Sequence, residues 1–489
     1  MKEPMTQPTP PPGPQRPPQV WDTRFDQRQT GPPGFGPAPV FGPPPQSSGG
    51  GSPTRGSGKL RKALAIGLGL LLVAGAGTGG WLLWGRDGND SAHKKKGPAQ
   101  AVDAKLEWVI PMPSPDKEHA QRMAPAWFVK DNVVMSTQKT VTAYNVETGK
   151  PSWTVPVPGF ACNRSPEPDG GIAVVVYGKG EFECDLAMAV DLERGRTLWS
   201  KELTDSRGRK DSHDTANISF SRGVVTLSSG LEPRVFDARS GERRKPLDFG
   251  CRQQGAVADG TQQLTVAQCQ IYGRQFVMNV DPRTGVEKWT WKVLDGITVL
   301  NVLSVQPPVL AVARENDHDP SDLVVLDDKG RLKNLISVSA GPYEFGDCKP
   351  RLLDSCRRAV TDGDTLYLAT RSDKVIDNGS SPNAIASIDL KTGKARWTVP
   401  LAEDRTSRPV AMHEGRLLVY QQATRDESGK LLSLDPANGE STVFMKLPQD
   451  SVEREFGLRG GTAYFRDGRF YLVPEEGMTA TETMMMSFH

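Results

Sequence analysis

An excess of charge of either sign is the first thing missing from this sequence. Its 489 residues hold 60 Lys and Arg against 58 Asp and Glu, a formal net charge of +2. A nucleic-acid binder would show a basic domain with clustered Lys and Arg, so that class of partner is excluded. Also missing are C-x-x-C, any H-x-x-x-H or H-E-x-x-H spacing among the six histidines, and G-x-S-x-G. These absences remove the thiol-redox motif, the histidine metal motifs and the hydrolase elbow. Aliphatic residues are nearly absent from one region, residues 1–58, which instead hold 16 of the 40 prolines and ten glycines. No core can offset the entropy of ordering such a segment, and a disordered, partly polyproline-II tail is expected there.

Charge is absent again from Ala63 to Trp84, 22 residues reading ALAIGLGLLLVAGAGTGGWLLW. At about 1.5 Å per residue a helix of this length crosses a hydrocarbon core of about 30 Å. Trp81 and Trp84 stand where an interfacial aromatic belt would lie. Over sixty residues precede the run, too many for the charged head of a cleaved signal peptide, so a signal anchor is expected over 59–85. Gly75, Gly77 and Gly80 spell G-x-G-x-x-G by accident, because a dinucleotide site needs that motif between a soluble strand and a helix. Gly75 and Gly79 permit close helix packing.

Basic residues flank the run on both sides: Arg55, Lys59, Arg61 and Lys62 before it, Arg86 and Lys94–Lys96 after it. The cysteines break this tie. All six follow the run, at Cys162, Cys184, Cys251, Cys269, Cys348 and Cys356, in pairs 22, 18 and 8 residues apart. An even count without metal spacing reads as disulfides in an oxidising compartment, and nearest-neighbour pairing is one of fifteen connectivities. The expected topology is a single-pass cell-membrane protein, with a cytoplasmic tail over 1–58, a linker over 86–103 and an extracytoplasmic body over 104–489.

That body repeats. Seven times an alternating apolar stretch runs into an acidic or Asn residue and then a Gly turn. The copies include Asn145–Gly149, Asp191–Gly195, Asp281–Gly285 and Asp389–Gly393, and the seven glycines step by 46, 46, 44, 45, 63 and 46. Each has the chemistry of a short hairpin turn. Four residues after the Gly stands Trp153, Trp199, Trp289 or Trp397, with Lys245, Asn334 and Val443 in the other copies. A second turn precedes each hairpin, such as Asp259-Gly260 or Asp362-Gly363. Two hairpins per period make a four-stranded blade. Asp467-Gly468 opens an incomplete last copy, and residues 103–108, ending in Trp108, look like an outer strand without its blade. Joined, the two remnants close a ring and remove exposed sheet edges. The fold class is all-β, an eight-bladed propeller closed by its N-terminal strand.

The D-x-x-T-G-x-x-x-W hairpins resemble the PQQ-like (pyrroloquinoline-quinone-type) repeat of quinoprotein dehydrogenases and BamB-like proteins. WD40 repeats do not match, since Trp21-Asp22 is the sole Trp-Asp pair and sits in the tail. The resemblance implies that Trp108, Trp153, Trp199, Trp289 and Trp397 pack between blades. Its dehydrogenase branch binds quinone and calcium on the propeller axis under an adjacent cysteine pair. This sequence has no adjacent cysteines and no position for the ligands, so no cofactor, metal or catalytic residue is expected. The BamB-like branch scaffolds other membrane proteins, and long Pro/Gly tails before one span resemble actinobacterial envelope proteins.

Three minor features are read as structural. Glu315–Asp322 is acidic but lacks the Gly of an EF-type loop and reads as a solvated blade connection. Lys94–Lys96 reads as a stalk close to lipid headgroups. Met484–Met486 reads as the third strand of the last blade. The expected function is a non-enzymatic scaffold or sensor for an envelope protein or cell-wall ligand. The alternatives are a quinoprotein oxidoreductase and a receptor signalling through its tail.

Overall fold

The computed structural model describes residues 101–489 apart from 114–125, 181–182, 211–216, 229–231, 249, 270–272, 315–316, 340, 346–351, 356–358, 373–374, 378–379 and 475–481. The Pro/Gly tail, the charge-free run, Lys94–Lys96, Cys348 and Cys356 lie outside the described residues. Among those described, no helix is long and apolar enough to cross a membrane.

Eight antiparallel sheets follow one another along the chain. Blades 1 to 7 span residues 127–156, 160–202, 217–244, 252–292, 297–337, 343–400 and 407–446. Blade 8 takes three strands from 462–488 and its fourth, Leu106–Pro111, from the N-terminal end. Leu106 pairs with Phe488 and Val109 with Met486, so the ring closes as the two sequence remnants imply. Thr483–Phe488, which contains Met484–Met486, is the third strand of blade 8, and all three methionines are fully buried. Strand structure is present before residue 104. Val102–Asp103 runs parallel to the outer strand Ser441–Lys446 of blade 7, so the end of the expected linker is a fifth strand.

Burial explains the strand types. Second strands such as Ile172–Gly178 (IAVVVYG) are buried along their whole length because neighbouring blades cover both faces. Outer strands alternate, as in Glu287–Lys292 (EKWTWK), where Trp289 and Trp291 face inward. The hairpin turns before these outer strands are Asx turns. Asp281 Oδ1 accepts from the backbone N–H groups of Arg283 and Thr284 at 2.9 and 3.1 Å, and Gly285 adopts φ +76°.

Those glycines explain the tryptophans. A Cβ placed on Gly149 would lie 2.5 Å from Trp108 Cγ, and one on Gly195 would lie 2.3 Å from Trp153 Cγ. Each ring lies on the turn of the following blade, and the same contact joins Trp199 to Gly241 and Trp289 to Gly330. Three of the rings add a hydrogen bond. Trp108, Trp199 and Trp397 donate Nε1–H to the carbonyls of Val146, Ala238 and Pro436 at 2.9, 2.8 and 2.9 Å. Nε1 of Trp153 and Trp289 is buried without an acceptor. Asn334 replaces the ring between blades 5 and 6. Its Nδ2 donates toward Leu390 and Lys391 carbonyls at 3.4 and 3.3 Å, on the turn that carries Gly393.

A second set of links runs around the centre. The innermost strand of a blade has a free edge, and side-chain amides from the preceding blade cap it. Asn217 Oδ1 accepts from Ala256 N at 2.6 Å, Gln275 Oε1 from Val299 N at 2.7 Å, and Asn383 Oδ1 from Ser407 N at 2.8 Å. All three carboxamides are buried. Left unpaired, each of those N–H groups would carry a desolvation cost of about 1–3 kcal/mol.

Candidate functional site

Up-and-down strand order sorts the connections onto two faces. Turns within each hairpin, most of them short and glycine-bearing, share one face. Connections after the second and fourth strands share the other, and the longer ones are there. Both disulfides that the structure describes lie on this loop face. Cys162, on Phe160–Arg164, bonds to Cys184 before Leu186–Asp191, and Cys251 and Cys269 flank the first hairpin of blade 4. Each bridge ties the start of an innermost strand to the loop after the second strand of its own blade. Nearest-neighbour pairing therefore holds for these two pairs.

The 63-residue step resolves into two insertions in blade 6. Its innermost strand is split into Tyr343–Glu344 and Val360–Thr361, and a long loop joins Thr365–Thr370 to Ala384–Asp389. Part of the first insertion lies against the inner strands of three other blades. Leu353 is buried, and its carbonyl accepts from Val302 N of blade 5 at 2.7 Å. Asn301 Nδ2 donates to the Leu352 carbonyl at 2.8 Å, and Asn217 Nδ2 of blade 3 approaches Asp354 Oδ1 at 3.3 Å. A Cβ on Gly255 of blade 4 would lie 2.8 Å from Leu353 Cδ1. Residues 352–355 thus occupy the inner wall over blades 3 to 5.

Next to it the second insertion helps to form a cleft of about 510 Å³, which spans blades 6, 7 and 8 on the loop face. That volume is within the range of ligand pockets. Among the described residues the lining carries Arg371, Arg408, Arg459 and Glu344, with Asn383 and Gln422 among its other polar groups. Carbonyl oxygens accept from two of the guanidiniums. Arg371 Nε donates to the Tyr343 carbonyl and Arg408 Nη1 to the Gly461 carbonyl, both at 3.0 Å. With its amide oxygen turned inward, Gln422 accepts from Arg408 Nε and Nη2 at 2.7 and 2.5 Å.

Arg459 reaches the cleft from a short helix, Val452–Gly457, that joins blades 7 and 8. Its guanidinium sits 4.0 Å over the Phe456 ring. A buried carboxyl anchors the helix. Glu455 accepts from Tyr420 Oη at 3.1 Å and Gly429 N at 2.9 Å, and from Ser451 Oγ. Burial pushes its pKa up, against the pull of the Ser451, Gly429 and Tyr420 bonds and of Arg405.

A second cleft, of about 370 Å³, opens between blades 3 and 4. It lies where Lys245 takes the place of the packing tryptophan and the outer strand shrinks to Arg243–Arg244. Other candidates stay apart. Described residues 317–321 of the acidic loop join the second and third strands of blade 5 instead of connecting two blades, and no group of three His, Cys, Asp or Glu among the described residues is placed to hold a metal. His413 packs between Phe444 and Phe465 rather than facing a site.

Residues 79–298 match the family described as outer membrane protein assembly factor BamB, a stretch just under half of the 489 residues. No curated protein matches the chain. Among solved structures, BamB from Moraxella catarrhalis is similar at 14% identity over 79% of this chain and 97% of its own, with a TM-score of 0.42. A chain of a mitotic checkpoint complex is similar at 12% identity over 81% of this chain and 96% of its own, with a TM-score of 0.36. The chain is an eight-bladed β-propeller, and residues 79–298 of it are similar to the BamB family.

Proposed function

We propose that this protein is a membrane-tethered propeller outside the cytoplasm, whose loop face binds a second envelope protein and holds it in place. The observation that carries this reading is the asymmetry of the two faces. One presents tight Asx turns, and the other presents the lengthened loops, both described disulfides and the Arg-lined cleft. Loops on a rigid scaffold are where binding sites concentrate. The charge-free run Ala63–Trp84 supports the tether, and the disulfides support an oxidising compartment for the body. The match to the BamB description supports a scaffold over an enzyme. Occupation of the inner wall by Leu352–Ser355 supports a propeller without an axial quinone.

The test is in-cell crosslinking of the tagged full chain in its native membrane, followed by affinity capture. The reading predicts one stoichiometric envelope protein, lost when the loops of blades 6 to 8 are exchanged for short turns. Recovery only of cytoplasmic proteins, through the tail, would replace it with the receptor reading.

A further inference from the structure

We infer that the cleft between blades 3 and 4 binds an indole, in the place that a tryptophan of this chain fills at other blade junctions. At the junctions made by Trp108, Trp199 and Trp397 the ring lies on the glycine of the next turn. Its Nε1–H donates to the carbonyl three residues before that glycine: Val146 before Gly149, Ala238 before Gly241 and Pro436 before Gly439. The counterpart between blades 3 and 4 is Pro282 before Gly285, and both line the cleft. Pro282 is buried, and among the described residues no donor reaches its carbonyl. Blade 3 supplies no ring for it. Its outer strand stops at Arg244, Lys245 in the tryptophan position is exposed, and Leu247 alone approaches Gly285, 2.9 Å from a Cβ placed there. Beside that leucine a space of about 370 Å³ remains. Between blades 5 and 6, also without a ring, Asn334 and Ile336 both cover Gly393.

The walls suit an aromatic ring that carries one donor. Val235, Leu247 and Pro282 give apolar surface. Arg244 adds a cation held in place, with Nη2 on Asp237 Oδ2 at 3.4 Å and Nη1 donating to the Arg283 carbonyl at 3.3 Å. A guanidinium whose N–H groups are engaged still attracts an aromatic face, that of indole most strongly. The two buried amides of the lining are satisfied within the protein. Gln253 Nε2 donates to Ser228 Oγ at 2.9 Å, and Gln263 Oε1 accepts from Ser219 Oγ at 2.8 Å. The Pro282 carbonyl therefore sets the polar requirement on a ligand, and an indole N–H meets it. This site does not rest on the loop-face reading, and either can fail alone.

Ligand-observed NMR titration of the full chain in detergent micelles tests this with four probes: N-acetyl-tryptophanamide, its 1-methylindole analogue, indole and N-acetyl-leucinamide. The Lys245→Trp variant, which puts a ring of the chain's own into the cleft, is the blank for uptake by detergent. N-acetyl-tryptophanamide should bind the wild-type chain, and the 1-methylindole analogue should bind roughly fivefold more weakly, the worth of one hydrogen bond. N-acetyl-leucinamide should not bind. Lys245→Trp should abolish binding and raise the denaturation midpoint, a gain that misfolding cannot produce. Indole binding as tightly as the amide assigns the ligand to free aromatics, and weaker binding of indole assigns it to a tryptophan side chain; either keeps the inference. Equal affinity for N-acetyl-leucinamide or for the 1-methylindole analogue, or unchanged binding by Lys245→Trp, overturns it. So does a wild-type chain that binds no probe, and binding that appears only in Phe249→Ala assigns the space to the chain itself.

Discussion

Trp108 donates its indole N–H to the Val146 carbonyl at 2.9 Å and lays its ring on Gly149, so the strand that closes blade 8 is also latched to blade 1. The residue thus serves two junctions at once. Trp108→Ala should cost about 3–5 kcal/mol, as for other large aromatic truncations. Trp108→Phe keeps the packing and loses the hydrogen bond, for about 1 kcal/mol. Urea midpoints of the two variants measure both, and equal losses would contradict the separate role of the N–H.

The glycine side of the latch makes its own prediction. Gly149 has φ +64°, and an added Cβ would meet Trp108 Cγ at 2.5 Å. Gly149→Ala should therefore destabilise by about 2 kcal/mol or more, through strain and displacement of the ring. Gly170 has φ +56° with open space around its Cβ position, and Gly170→Ala should show the strain alone. A comparison of thermal midpoints separates the two effects.

Asn334 makes two long amide contacts where other blades place a ring. Asn334→Ala should cost less than about 1.5 kcal/mol, well below Trp199→Ala, because little apolar surface is lost. Denaturation midpoints of the two variants, measured side by side, check the ranking.

The disulfides close loops of 22 and 18 residues. Each should contribute about 3 kcal/mol, chiefly by restricting the unfolded chain. The double variant Cys162→Ser/Cys184→Ser should lose that amount, and the wild-type chain should lose more in reductant. An unchanged midpoint in reductant would remove the argument for an oxidising compartment.

Stability should fall at acid pH through the repeated turns. The Arg331 backbone N–H, followed by its side chain, holds Asp327 down at about 2. Asp389 is held at about 2 first by the Arg396 side chain and then by the Thr392 backbone. Depressed folded-state values mean that this stability is complete above the ordinary carboxylate range near pH 4 and is lost as pH falls toward 2. Asp327→Asn/Asp389→Asn should flatten the acid limb of a midpoint-against-pH curve. Glu455 works in the opposite sense. Its raised value makes folding less favourable as pH rises above the ordinary carboxylate range and through that value.

What the sequence made legible was the repeat. The Asx–Gly turns and the tryptophan four residues later are local signals with a fixed physical cause, and from them the blade count and the closure follow. The anomalous step of 63 marked blade 6 as enlarged but could not reveal that Leu353 reaches Val302 and Gly255. Nothing local in the sequence specifies contacts between residues 51 and 98 positions apart. The same holds for Asn217, Gln275 and Asn383, polar residues whose caps exist only once neighbouring blades meet. The helix Val452–Gly457 is six residues long, too short for a helical period to show. Arg371, Arg408 and Arg459 are scattered over 89 positions and become a cluster only through the curvature of the ring.

Site-specific photocrosslinking in the native membrane tests the central claim most directly. A photoreactive residue at Ser372, on the rim of the Arg-lined cleft, should trap an envelope protein. One at Gly260, on the opposite face, should trap nothing. Trapping from Gly260, with Ser372 silent, would contradict the assignment of the loop face as the surface that binds.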